Sequence, residues 1–177
     1  MTPTEASTSL QLAIHEYFNG EFYEMLFILA GSALFTGLAT WLWLATRSGF
    51  AMAFGTTVLV AAALFSAAAV SLMVRDKDLS NSLVQAASSP HRGQAMAQEL
   101  KRIDTVVSKY RYYRYGAAVL AALSGMGLLL THRAWVHGIA AGLLLVVVAQ
   151  VFIDHFSEQR ARQYLSRFSA ATNNHSL

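Results

Sequence analysis

The chain has 177 residues, a formal net charge of +3, 55% hydrophobic residues and no cysteine. The missing thiols exclude disulfides, thiolate metal sites and cysteine nucleophiles. Four long apolar segments occupy much of the length, which leaves no room for a separate soluble enzyme. The basic residues lie beside these segments, where membrane orientation explains them, so nucleic-acid binding is not expected.

The first predicted element is a short amphipathic helix over residues 8–18, lying at the cytoplasmic membrane interface. Its apolar residues recur at helical spacing: Leu10, Ile14, Tyr17 and Phe18. Asn19 and Gly20 both tolerate the left-handed conformation that ends helices, so we predict a break there. Glu21 and Glu24 then fall in the first turn of the next helix, where the helix dipole favours negative charge.

Four apolar segments are each long enough to cross a hydrocarbon core about 30 Å thick as a helix. Their predicted bounds are 22–46, 50–74, 115–131 and 134–153. The fold class that follows is an all-α polytopic membrane protein, a single membrane domain with four transmembrane helices. The lipid bilayer is its first predicted partner.

The charges fall almost entirely on one side of these four segments. All ten acids and eleven of the thirteen Lys and Arg lie on the side that holds both termini, and only Arg47 and Arg133 lie on the other. Lys and Arg accumulate on the cytoplasmic side of membrane proteins. We therefore predict a multi-pass protein of the inner (cytoplasmic) membrane with both termini in the cytoplasm.

Two further cytoplasmic elements are predicted from helical spacing of apolar residues. Residues 75–114 form a helical hairpin, with two arms joined at 88–93 and continuous with the second and third spans. Residues 154–170 continue the fourth span as a helix that packs on this hairpin.

The candidate site is a polar network at the cytoplasmic helix ends. Its predicted members are Glu21, Glu24, Arg111, Arg114, Asp154, His155, Glu158 and Arg160. The favoured interpretation is a set of ion pairs that locks the helix ends together. The alternative is a divalent-metal or proton-relay site built from the carboxylates and His155. No catalytic residue, resident metal or cofactor is predicted.

Gly138 and Gly142 are four residues apart in the fourth span, the spacing that lets two helices approach closely. We predict that they form a helix-packing surface, one that a foreign helix would also fit.

A set of charged and aromatic landmarks carries a resemblance. It comprises 17–21 with Glu24, an Arg75/Asp78 pair, Glu99 with Arg102, Tyr113 with Arg114, and the stretch from Asp154 to Tyr164. Together they resemble a group of small four-helix bacterial inner-membrane proteins. The layout is also similar in architecture to membrane immunity proteins, which neutralise toxins delivered by type VI secretion. The first resemblance implies a bacterial inner-membrane protein of this topology, and the second, which is one of architecture only, favours a protein partner such as a toxin or a membrane complex.

Three functions remain open from the sequence. The first, which we favour, is a non-catalytic immunity or interaction protein that binds a toxin or membrane complex. The second is an ion transport or channel component that acts as a homo-oligomer, with Gln150 and the cytoplasmic carboxylates as its path. The third is a metal-dependent membrane enzyme built on Glu21, Glu24, Asp154, His155 and Glu158.

Overall fold

The described part of the chain is helical apart from short connections. The computed structural model describes residues 3–87, 89 and 92–173. Its helices are α1 (Pro3–Thr46), α2 (Gly49–Ala87), α3 (Arg92–Leu130) and α4 (Ala134–Asn173). All four are long and apolar enough to cross a membrane. The protein is therefore a multi-pass, all-α membrane protein, as the sequence predicts.

The connection between α1 and α2 is a tight hairpin. Arg47 takes the left-handed conformation, with φ of 47°, and its backbone N–H donates to the Trp43 carbonyl at 2.9 Å. The Ser48 hydroxyl accepts a hydrogen bond from the Ala51 N–H at 3.1 Å, which caps the start of α2. The helix ends here thus lie within a residue of the predicted bounds.

The connection between α3 and α4 is also short and hydrogen-bonded. The Arg133 carbonyl accepts from the N–H groups of Val136 and His137 at 3.0 and 3.2 Å. The His137 ring lies 2.5 Å from the Thr131 carbonyl through its Nε2. These contacts fix the backbone of residues 131–133 at the tip.

Continuity of the helices beyond the apolar segments is confirmed for α2, α3 and α4. Residues 88, 90 and 91 of the predicted arm junction lie outside the described residues. The predicted break at Asn19 and Gly20 is wrong, because α1 runs through both residues as one helix. Gly20 serves close packing instead, since a Cβ there would lie 2.7 Å from the Arg160 Cδ.

The chain divides into two compact units, and each helix contributes to both. The first, here called the polar unit, comprises Met1–Glu24, Ser71–Tyr110 and His155–Leu177. The second, called the apolar unit, comprises Met25–Val70 and Arg111–Asp154. The α1 part of the apolar unit is 22 residues long, or about 33 Å of helix. That length matches a hydrocarbon core of about 30 Å.

The polar unit has a hydrophobic core to which all four helices contribute. Buried members include Leu10, Ile14, Leu83, Met96, Ile103, Ala161 and Phe168. Leu10 and Ile14 belong to the segment predicted to lie on the membrane surface. In the structure this segment is instead a core element of the polar unit, because its apolar face is covered by protein.

The apolar unit is held by close contacts at glycine. A Cβ at Gly138 would overlap the Phe50 carbonyl oxygen, and one at Gly142 would lie 2.9 Å from the Thr57 Cβ. The residue numbers of these contacts increase in the same direction along α4 and α2, so the two helices are parallel neighbours. In lipid, apolar burial drives little helix association, and close van der Waals packing takes its place. Both glycines therefore pack on a helix, and that helix is α2 of the same chain.

Gly138→Ala and Gly31→Ala should change stability in opposite directions. At Gly138 the new methyl group meets the α2 backbone, which cannot move cheaply, so we expect a loss of about 1–3 kcal/mol. At Gly31 nothing lies within 4 Å of the new Cβ. Alanine there should stabilise the helix by roughly 0.5–1 kcal/mol.

Thermal unfolding of the two purified variants in detergent measures this difference. A Gly138→Ala protein as stable as the Gly31→Ala control would contradict the packing described for α2 and α4.

Candidate functional site

An antiparallel interface between α1 and α4 organises the polar unit. As residue numbers increase from 16 to 24 along α1, the numbers of their contact partners on α4 decrease from 167 to 157. The contacts are an ion pair of Glu16 with Arg167, a ring stack of Tyr17 on Tyr164, and a hydrogen bond from Ser157 to Glu24. The Tyr17 and Tyr164 ring centroids are 4.3 Å apart with a 17° interplanar angle.

Arg160 lies at the centre of this interface and joins two acids of α1. Its guanidinium forms an ion pair with Glu24, and its Nε lies 3.4 Å from the Glu21 Oε1. The Arg160 side chain is 23% exposed, and those of Glu21 and Glu24 are 13% and 10% exposed. Gly20 makes room for the arginine stem, because any side chain there would meet it. The close approach of α1 and α4 therefore depends on a glycine beside a partly buried cation.

Both acids also accept hydrogen bonds from neutral groups. The Tyr17 hydroxyl donates to Glu21, one helical turn away, and the Ser157 hydroxyl donates to Glu24 from α4. Removing charges from water is costly unless each gains both a counter-ion and hydrogen bonds. Glu21 and Glu24 each gain the Arg160 counter-ion and one such hydrogen bond, so the cluster joins α1 to α4 as a structural element.

A second buried ion pair lies within α3. The Arg102 Nε and Nη2 donate to the two carboxylate oxygens of Glu99, each at 2.7 Å. The Glu99 side chain is 2% exposed, and Arg102 also interacts electrostatically with Tyr17 and Tyr164. The tyrosine stack thus has a charged group from α3 beside it.

Two further ion pairs are local to their helices. Arg162 pairs with Glu158 one turn away at 2.7 Å. Arg75 pairs with its neighbour Asp76 at 2.7 Å, whereas Asp78, the partner expected from the sequence, is exposed.

Two polar residues of the spans also find partners. Gln150 donates to Asp154 of its own helix at 2.7 Å. Glu24 does bond a neighbouring helix, because its hydrogen-bond donor Ser157 belongs to α4.

The structure brings together some of the predicted site residues and leaves others apart. Glu21, Glu24 and Arg160 form one cluster. His155 is exposed, with its ring edge-on to Phe156 at 5.4 Å, and Arg111 and Arg114 lie exposed in the apolar unit. Within residues 3–87, 89 and 92–173, no three His, Asp or Glu side chains lie close enough to hold a metal ion.

A groove of about 210 Å³ follows the α1–α4 interface of the polar unit. It is lined by Ala13, Glu16, Tyr17, Arg160, Gln163, Tyr164 and Arg167. Its charged side chains already pair across the interface, so the groove presents no unpaired charge to a ligand.

Comparison with known proteins gives no relative. No protein-family model, no curated protein and no solved structure matches the chain.

Sequence reasoning missed Ser157 and the stacking of Tyr17 on Tyr164. Each contact joins residues more than a hundred positions apart, and neither residue type signals its partner. The apolar residues at helical spacing in 8–18 do indicate one thing: this helix has an apolar face that must pack against lipid or another helix.

Arg160→Met should destabilise the polar unit far more than Arg167→Met. Removing Arg160 leaves two carboxylates buried beside no counter-ion, a loss of about 3 kcal/mol. Arg167 and Glu16 are more than half exposed, so the control should lose less than about 1 kcal/mol.

Thermal unfolding in detergent distinguishes these cases. Adding Glu21→Gln and Glu24→Gln to Arg160→Met should restore most of the loss, because no unpaired carboxylate then stays buried between α1 and α4. Equal unfolding midpoints for the two single variants would refute a central role for Arg160.

Proposed function

We propose that this chain is a non-catalytic interaction protein of the bacterial inner membrane. More specifically, we propose an immunity protein that binds a membrane-active interbacterial toxin and blocks its insertion or pore. The layout of four spans with short connections on one side is similar to that of membrane immunity proteins of type VI secretion systems. The partner is a protein, and it is met in or at the bilayer.

The observation that carries a non-catalytic role is the pairing of the buried charges. Glu21 and Glu24 are engaged by Arg160, and Glu99 is engaged by Arg102. Acid–base or metal chemistry needs such groups to be available to a substrate or ion. Here the Arg160 ion pairs join α1 to α4, and the Arg102–Glu99 pair lies within α3.

The orientation we propose follows the distribution of Lys and Arg. The polar unit, with nine basic residues, lies in the cytoplasm, and the two hairpin tips with Arg47 and Arg133 lie in the periplasm. Residues 75–114 then form a cytoplasmic helical hairpin. A toxin that inserts from the periplasm would meet little protein outside the membrane.

The surface available to such a toxin is the exposed apolar face of the spans. Phe27 and Leu129 are 77% and 82% exposed, and Gly31 and Gly37 of α1 have open space where a side chain would be. Gly138 and Gly142 are covered by α2, so they are not the contact surface we propose. An inserting helix would compete with lipid for the exposed faces.

The test is a competition between the parent bacterium and a strain deleted for this gene. We expect the deletion strain to be killed by its parent on a solid surface, where cells touch, and to survive in shaken liquid. The wild-type gene supplied in trans should restore survival. A strain carrying Gly31→Leu, which adds bulk to the exposed α1 face, should be protected less well than one carrying Gly31→Ala.

Equal fitness of the two strains under both conditions would overturn the immunity proposal. Ion flux through proteoliposomes, lost on Glu24→Gln, would then support the transport alternative. An ion-tight membrane would remove that alternative as well.

A further inference from the structure

The two hairpin tips of the apolar unit lie at the same end. Gly138 near the start of α4 packs on Phe50 near the start of α2, and the next contact, Gly142 on Thr57, continues in the same direction. The connections that precede these helices, residues 47–48 and 131–133, are therefore neighbours. Each carries one exposed arginine, Arg47 or Arg133.

Arg47 occupies a backbone conformation that favours glycine. Its φ of 47° lies in the left-handed region at the end of α1, where the Cβ of other residues is crowded. Glycine would relieve this strain, and an arginine retains it. Strained residues that persist are often explained by what their side chains do.

No carboxylate of the apolar unit neutralises this end. The unit contains four arginines and a single acid, Asp154, which is twenty residues after the start of α4. The polar unit, by contrast, has nine basic and nine acidic residues. The two arginines thus present positive charge at an end of the spans that carries no acid of its own.

Aromatic side chains mark the depth at which this charge lies. Trp41 and Trp135 are 67% and 49% exposed, and Trp43 is also exposed. Indoles at the ends of membrane spans lie at headgroup level. Arg47 follows Trp43 by four residues and Arg133 precedes Trp135 by two, so we expect both arginines near headgroup level.

We propose that Arg47 and Arg133 bind the phosphate of an anionic phospholipid in the leaflet at this end. A guanidinium donates two parallel hydrogen bonds to phosphate oxygens, and weak hydration makes it suited to an interface. The capped, hydrogen-bonded connections place both arginines at this end of the spans. This site is independent of the toxin partner.

The test uses full-length protein in detergent with equal amounts of phosphatidylglycerol and phosphatidylcholine, analysed by native mass spectrometry. We expect the wild type to retain the anionic lipid preferentially. Arg47→Gly with Arg133→Gln should lower that preference by about fivefold for each cation removed. The matched control, Lys77→Gln with Lys101→Gln, removes two exposed lysines of the polar unit and should keep it.

Arg47→Gly alone keeps the proposal separate from a folding defect. It should raise the thermal unfolding midpoint in phosphatidylcholine, because glycine relieves the strained conformation, and still lower the preference for phosphatidylglycerol. An unchanged preference in the tip variants, an equal loss in the lysine control, or no preference in the wild type would each overturn the proposal. An unchanged lipid preference would direct attention to a protein contact at the tips.

Discussion

The hydrocarbon interior of a bilayer contains no water to solvate an ionised side chain. Residues Met25–Val70 include one charged residue, Arg47, and it lies at a hairpin tip outside the helices. The acids of the chain belong to the polar unit, with Asp154 at the last position of the apolar unit as the one exception. The cost of burying charge in lipid therefore determines which part of each helix can span the membrane.

This constraint gives the two units different ways of holding together. The polar unit buries aliphatic and aromatic side chains against each other, and the hydrophobic effect supplies most of the driving force. Its buried charges are paired through Arg160 and Arg102. The apolar unit has no comparable hydrophobic gain in lipid, so its helices approach through glycine, as at Gly138 on α2. Each helix thus uses both kinds of packing along its length.

The sequence predicts the helix ends at the two hairpin tips because polar residues interrupt apolar runs there. It does not predict continuity through Asn19 and Gly20, because a glycine that ends a helix and one that admits a neighbouring side chain look alike in sequence. The side chain that Gly20 admits, from Arg160, is 140 positions away. Predicting that α1 continues through Gly20 would have required knowing that Arg160 packs against it.

The candidate site shows the same limit. Pairing of the carboxylates with arginines was expected from their balance, and Arg160 does pair with Glu21 and Glu24. Which arginine pairs with which acid depends on the α1–α4 register, and that register is set by the buried stack of Tyr17 on Tyr164 together with the core around it. Local spacing carries no information on such a register.

The sidedness of two engineered cysteines, in a chain that has none of its own, directly reports the orientation of the spans. His132→Cys introduces a thiol at the α3–α4 tip, and Thr105→Cys introduces one at an exposed position of the polar unit. With a membrane-impermeant maleimide on intact spheroplasts, we expect His132→Cys to be labelled and Thr105→Cys to be labelled only after permeabilisation. Labelling of Thr105→Cys in intact spheroplasts, with His132→Cys protected, would contradict the orientation on which the proposed function depends.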